Sequence, residues 1–267
     1  MKRSLHIGIN DYPGTGSDLS GCVNDAMDWL QALGKRGFLD QTTLFDKQAT
    51  KKAMVDAMTK IVDATTSKDI AVITYSGHGT WVPDADGDEA DGRDEALCPW
   101  DIGTTGAILT DDELYEIFGN RKVGARIIFL SDSCHSGSVS RAAFSVPGLT
   151  DDWKFPHMRF LAPETHLPAG QLAAAKRVEK SRVKSKIRAA TVLFAGCQDT
   201  EYSYDAWFNK RPNGAFTFMA LKALESNPQD YWSWYKALRA FLPHVQYPQT
   251  PQLACSSSQR KWKVFAE

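Results

Sequence analysis

Four short runs rich in β-branched and aliphatic residues, "SLHIGIN" (4–10), "DIAVITYSG" (69–77), "ARIIFLSD" (125–132) and "ATVLFAGC" (190–197), constrain this chain most. Their length and near-continuous apolarity are those of strands buried on both faces. Between them lie helical patterns. "GCVNDAMDWLQALGKRG" places Val23, Met27, Leu30 and Leu33 near helical spacing, and "TKKAMVDAMTKIVDATT" does the same with Met54, Met58, Ile61 and Val62 behind Thr50 as N-cap. Strands that alternate with helices make a mostly parallel sheet. A weaker strand at Thr42 to Phe45, helices at "TDDELYEIFG", "GAFTFMALKALES" and "YWSWYKALRAFL", and a last strand near "KWKVFA" complete the expectation. The fold class is α/β, a three-layer α-β-α sandwich around a mostly parallel sheet. With 267 residues, one domain over 1–267 is the default.

Charge excludes several function classes. The formal net charge is -1, which exerts no global pull on nucleic acid or anionic lipid. The opening "MKRSLHIGIN" passes directly into a strand pattern, without the apolar stretch of a signal or membrane span, so a cytoplasmic location with no membrane partner is expected. Five cysteines, Cys22, Cys98, Cys134, Cys197 and Cys255, are odd in number and contain no C-x-x-C pair. Neither a disulfide framework nor a zinc site is suggested, and no metal ligands are assigned. From about Ser138 to Lys186 the strand rhythm breaks, and Lys176 to Arg188 holds seven basic residues and one acid, Glu179. A mobile basic loop at about 165–188 is expected. No aromatic residues interleave these charges as stacking platforms, so nucleic acid is not an expected partner.

Ligands of open parallel sheets sit at the carboxyl ends of the strands. Two residues of interest fall there: His78 in "YSGHGT", after the second run, and Cys134 in "SDSCHSG", after the third. On neighbouring strands they form a cysteine–histidine pair, in which a thiolate attacks a carbonyl and an imidazole handles the leaving-group proton. Gly77 and Gly79 permit a tight turn, and an amide N–H beside the histidine joins that of Cys134 as a candidate oxyanion hole. The competing reading as a dinucleotide binder rests on "GTGSDLSG", but Leu19 stands where the third fingerprint glycine belongs.

These segments, with "INDYPGTGSDLSGCVNDA", "DGDEADGRDEALCPWD", "ILTDDEL", "FAGCQDTEYSYD", "GAFTFMALKAL" and "YPQTPQL", occur in the order of the metacaspases and orthocaspases, which the chain resembles over nearly its whole length. His78 lies 56 residues before Cys134; caspase-type enzymes place the histidine roughly 50 residues upstream of the nucleophile. The Q-A-C-x-G signature of true caspases is absent. The lack of an added prodomain favours the orthocaspase group. The resemblance implies Cys134 as nucleophile and His78 as its proton partner, with Gly79 at the site. It also implies a pocket for an arginine or lysine side chain built from Asp25 and Asp132, with Cys22 and Ser76 on its walls. Asp25 also reads as a helix N-terminal acid.

The chain is thus expected to be a cysteine endopeptidase that cuts protein or peptide substrates after arginine or lysine, is self-processing, and is monomeric by resemblance. The alternative is a catalytically silent caspase-like scaffold or signalling protein. From Asp84 to Glu95 there are seven carboxylates and one arginine, but Glu89 stands where an EF-hand needs glycine. Calcium, which many metacaspases require, is the one candidate cofactor, with Asp111 and Asp112 as candidate ligands by resemblance. Arg141 stands where the family pattern has an aspartate seven residues after the nucleophile, so the expectation is that no cofactor is required. The basic residues from Lys176 to Arg188 are the expected region of self-cleavage.

Overall fold

The computed structural model describes residues 1–84, 93–134, 157–167, 191–198 and 200–266. In chain order the elements are β1 (Lys2–Gly8), α1 (Cys22–Gly34), β2 (Asp40–Phe45), α2 (Lys51–Ala64), β3 (Ile70–Ser76), β4 (Gly79–Pro83), β5 (Arg93–Leu97), α3 (Ile102–Thr105), β6 (Leu109–Thr110), α4 (Asp111–Gly119), β7 (Arg126–Asp132), β8 (His157–Met158), β9 (Val192–Ala195), β10 (Tyr204–Phe208), β11 (Arg211–Gly214), α5 (Ala215–Leu224), α6 (Tyr231–Arg239) and β12 (Gln252–Ala254). The main sheet runs β12-β9-β7-β3-β1-β2. Its strands are parallel except β12, which pairs antiparallel with β9. Two three-stranded sheets, β4-β5-β6 and β11-β10-β8, stand beside it.

The period-2 alternation of each strand divides two cores. Ala71, Ile73, Ile127 and Phe129 pack with Met54, Met58, Ile61 and Val62 of α2 and with Leu114 and Phe118 of α4. Ile70, Val72, Ile128 and Leu130 pack on the other face with Trp29 and Leu33 of α1, Phe216 and Ala220 of α5, and Trp234 and Leu238 of α6. This is the expected three-layer arrangement. Helix starts follow side-chain chemistry: Thr50 accepts from Ala53 N at 3.3 Å, and Thr110 with Glu113 closes a reciprocal capping box at the "TDDEL" helix.

The structure corrects three expectations. The buried stripe of α1 is Cys22, Asp25, Ala26, Trp29 and Leu33, whereas Met27 is exposed and Val23 and Leu30 are half-buried. The stripe is rotated because a carboxylate, Asp25, lies on the inward face. The last strand is β12 in "PQTPQL", not "KWKVFA". Phe265 instead turns inward with φ 53° and packs edge-on against Trp29, Phe38 and Trp234. Finally, the stretch expected to lack strands contains β8. The basic run from Lys176 to Arg188 and the acidic positions 85–92 lie outside the described residues. No helix among the described residues is long and apolar enough to cross a membrane.

His6 lies buried on β1 between Ser4 Oγ, at 2.8 Å, and Thr74 Oγ1, at 3.1 Å. Burial lowers its pKa to about 3, from an ordinary value of 6.5. The unfolded chain therefore binds the proton first, so His6 contributes full stability above about pH 6.5 and loses it as the pH falls. Urea titrations should show the wild type losing stability from pH 7 to 5, by up to about 1.4 kcal/mol per pH unit from this ring. His6→Asn should flatten that loss, and equal losses in both proteins would refute the assignment.

Candidate active site

The parallel register sets Ser76 of β3 opposite Asp132 of β7. Two residues beyond each pair member stand His78 and Cys134, at the same carboxyl rim and on adjacent strands. Both are buried. The turn between Ser76 and His78 admits no side chain at Gly77, where a Cβ would lie 2.5 Å from Tyr12 Oη and 2.7 Å from Tyr75 Oη. These phenols hold the histidine backbone. His78 N–H donates to Tyr12 Oη at 2.8 Å, and Tyr75 Oη donates to His78 O at 2.6 Å.

The imidazole is oriented by a main-chain group. His78 Nε2 lies 2.6 Å from Ser17 O, which can only accept, so Nε2 carries the proton in the neutral ring. Nδ1 then bears the lone pair, and it has no hydrogen-bond partner among the described residues. Burial lowers the ring's pKa to about 4, against the opposing pull of the Ser17 carbonyl. The Cys134 thiol lies at the Ser203 peptide: Ser203 N–H donates to Sγ, and Sγ is 3.4 Å from Ser203 O.

Gly79 N–H and Cys134 N–H converge on one oxygen, the carbonyl of Arg159, at 3.0 and 3.2 Å. The residue so held extends its side chain into a buried carboxylate pocket. Nη2 of Arg159 lies 2.7 Å from Asp25 Oδ2 and 2.8 Å from Asp205 Oδ1, while Nη1 lies 3.1 Å from Asp132 Oδ2 and donates to Ser76 Oγ at 2.6 Å. One guanidinium thus faces three carboxylates. Burial disfavours its charge, but Asp132, Asp25 and Asp205 hold its pKa well above the ordinary value. Burial pushes Asp25 up to about 6, against the pull of Arg159.

Each acid is braced from behind. Asp25 Oδ1 accepts from Asn213 Nδ2 and Gly214 N–H, both at 2.9 Å. Asp132 Oδ2 accepts from Thr217 N–H at 2.9 Å and its hydroxyl at 2.7 Å, and Asp132 Oδ1 from Ser203 Oγ. Asp205 takes the N–H groups of Ser20 and Gly21 at the start of α1. Such donors keep a carboxylate charged where water is excluded.

A profile of the Caspase domain family matches residues 1–263. Metacaspase-1 of Kluyveromyces lactis is 32% identical over 287 residues, covering 96% of this chain and 66% of the relative. Metacaspase-1 of Schizosaccharomyces pombe is 31% identical over 288 residues, covering 96% and 67%. The chain belongs to the metacaspase branch of the caspase-domain family. That family consists of cysteine-type peptidases, and the chain spans about two thirds of the length of these two relatives. A crystal structure of a Geobacter sulfurreducens protein matches with a TM-score of 0.73 and 30% identity, over 99% of this chain and 98% of that one. Caspase-1 of Spodoptera frugiperda shares the fold, with a TM-score of 0.60 at 12% identity, over 100% and 90%.

In this metacaspase the seven residues expected at the catalytic centre and pocket, His78, Gly79, Cys134, Asp25, Asp132, Cys22 and Ser76, are buried at one rim. Asp111 and Asp112 lie elsewhere, in the first turn of α4. Burial, then Asp112 and Asp94, push Asp111 up to about 6. No cluster of three or more His, Cys, Asp or Glu suited to a metal occurs among the described residues. Sequence reading missed Asp205, although it ends the motif "FAGCQDTEYSYD". It also missed Ser17, which acts through its carbonyl, Gly214, which acts through the lack of a side chain, Ser203, whose peptide meets the Cys134 thiol and whose hydroxyl donates to Asp132 Oδ1, and Arg159, which carries no local motif.

Gly214 forms a wall of the carboxylate pocket. A Cβ there would overlap Asp132 Oδ2 and lie 2.5 Å from Arg159 Nη1. Its φ of -70° is ordinary, so alanine brings crowding without backbone strain. Gly214→Ala should cost about 1–3 kcal/mol in urea denaturation. A midpoint equal to that of the wild type would show that the pocket is not closely packed around the guanidinium.

Proposed function

We propose that this metacaspase is a cysteine endopeptidase that cuts after basic residues, arginine ahead of lysine, with Cys134 as nucleophile and His78 as proton carrier. The observation that carries the reading is the grip on Arg159: three carboxylates around one guanidinium, and the carbonyl oxygen of the same residue under two amide N–H groups. A planar fork with paired donors uses these acids better than a point-charged ammonium does. In the reaction, Cys134 Sγ bonds to the carbonyl carbon while the N–H groups of Gly79 and Cys134 stabilise the oxyanion. His78, with Nε2–H held by Ser17 O, takes the thiol proton on Nδ1 and delivers it to the departing amine. Water then cleaves the thioester. Self-processing belongs to the same reading, since the substrate class includes basic residues of the chain itself, and no metal takes part in these steps.

Fluorogenic peptides ending in arginine, lysine or aspartate test the proposal. Hydrolysis should occur after arginine, less after lysine and not after aspartate, with and without a chelator. Cys134→Ala should abolish it, and Asp132→Asn should lower kcat/KM for the arginine peptide by at least about tenfold, the loss of one charge-assisted bond. Cleavage confined to aspartate would overturn the pocket, and failure both to turn over any peptide and to cut the chain itself would favour the silent-scaffold alternative.

Orientation of the ring is testable separately. Ser17 offers its backbone, so Ser17→Ala should leave kcat nearly unchanged. Ser17→Pro should lower kcat more than KM, because it forces φ in the segment that aims Ser17 O at the ring. A proportionate rise in KM would place Ser17 in substrate binding instead.

A further inference from the structure

Arg159 sits in the site as a substrate residue would, and several independent contacts agree. Its carbonyl oxygen accepts from Gly79 N–H and Cys134 N–H. Its own N–H donates to Ser203 O at 2.9 Å, the same oxygen that faces the Cys134 thiol at 3.4 Å. The residues before it form β8, antiparallel to β10, with Met158 opposite Tyr204 and His157 opposite Asp205. On the far side Leu161 N–H donates to Gly79 O at 2.9 Å. The segment 157–161 is therefore an extended strand added to the site's edges, which is how extended peptides dock on open sheet edges.

We propose that Arg159 is a built-in occupant of the basic-residue pocket, and that Arg159–Phe160 is the bond this metacaspase cuts in itself to open the pocket. The inference rests on the peptidase reading above and adds its regulation. It moves self-cleavage upstream of the expected region at Lys176 to Arg188. Until the bond is cut, the guanidinium excludes any other basic side chain, because Asp25, Asp132 and Asp205 are already engaged and Arg159 is fully buried.

The step balances without an added co-reactant other than water. A bond forms between Cys134 Sγ and the carbonyl carbon of Arg159, and the bond from that carbon to Phe160 N breaks. The thiol proton passes through His78 to Phe160 N, which leaves as an amine. Water then attacks the thioester, restoring the thiol and leaving Arg159 with a carboxylate. Arg159 is already seated in the site of its own chain, so the cut is intramolecular and first order. Release of the 157–159 strand removes the occupant and frees the three carboxylates for another basic side chain.

Intact-mass measurement of the freshly purified protein over time, at two protein concentrations, tests this. Fragments 1–159 and 160–267 should appear at a rate independent of concentration, and activity on a peptidyl-arginine amide should rise with them after a lag. Cys134→Ala should stay whole. Phe160→Pro retains Arg159 and removes an amide N–H that donates no backbone hydrogen bond among the described residues. It should fold, judged by circular dichroism and a urea midpoint near that of Cys134→Ala, remain uncut, and show at least about a hundredfold lower activity on the amide, as expected for a pocket already filled by a competing group. Fragments with other ends, or full activity in uncut chains, would overturn this inference while leaving the peptidase reading intact. Absence of both cutting and peptide hydrolysis would overturn the two together.

Discussion

The contact between Arg159 and its three carboxylates is the constraint on which the rest of the site depends. It ties together parts of the chain that are remote in sequence: Asp25 from α1, Asp132 at the end of β7, Asp205 from β10, and the strand that carries Arg159 itself. Burying these charges is costly, and their attraction offsets that cost only because every acid is also held by further donors. Removing one member of such a cluster leaves an uncompensated buried charge, typically at about 3–5 kcal/mol. The cluster therefore contributes less to net stability than to specificity. Few other side chains present a cation with the planar fork that these oxygens fit.

The parallel sheet supplies the other half of the arrangement. Register between β3 and β7 brings the histidine and cysteine loops to one rim, where the strands end and side chains are no longer needed for packing. The amides of Gly79 and Cys134 point to one place because β4 begins directly after the histidine and Cys134 lies just past the end of β7. The hydrogen-bond donors of the proposed reaction are thus main-chain groups fixed by the fold. Their geometry does not depend on flexible side chains, and this preorganisation is what lowers the barrier in acyl transfer.

Much of this was legible in the residues. Continuous aliphatic runs read as buried strands because no alternative period competes in them, and His78 and Cys134 stood out by lying just beyond such runs. What stayed hidden has physical reasons. Asp25 sits on the buried face of α1, so a pattern scored by apolarity rotated the helix toward Met27. β12 has three residues, follows a proline and contains no aliphatic run, while "KWKVFA" alternates well but ends in a positive-φ turn at Phe265. Arg159 is a single cation in a stretch without periodicity, and its meaning comes only from the three acids that fold around it. Ser17 contributes a peptide carbonyl, which every residue type has, so its identity carries no signal.

The choice of a peptide carbonyl, Ser17 O, as the partner of His78 has a chemical corollary. A carboxylate in that place would place a full negative charge beside the ring and make it reluctant to part with a second proton. A neutral dipole aims the imidazole almost as well but leaves the cationic form weakly stabilised. In the proposed reaction, a proton collected from sulfur is then held only briefly, by a ring whose burial favours its uncharged form. Departure of the nitrogen leaving group is coupled to that impatience, so the breakdown of the tetrahedral adduct runs forward toward the thioester rather than back to the amide.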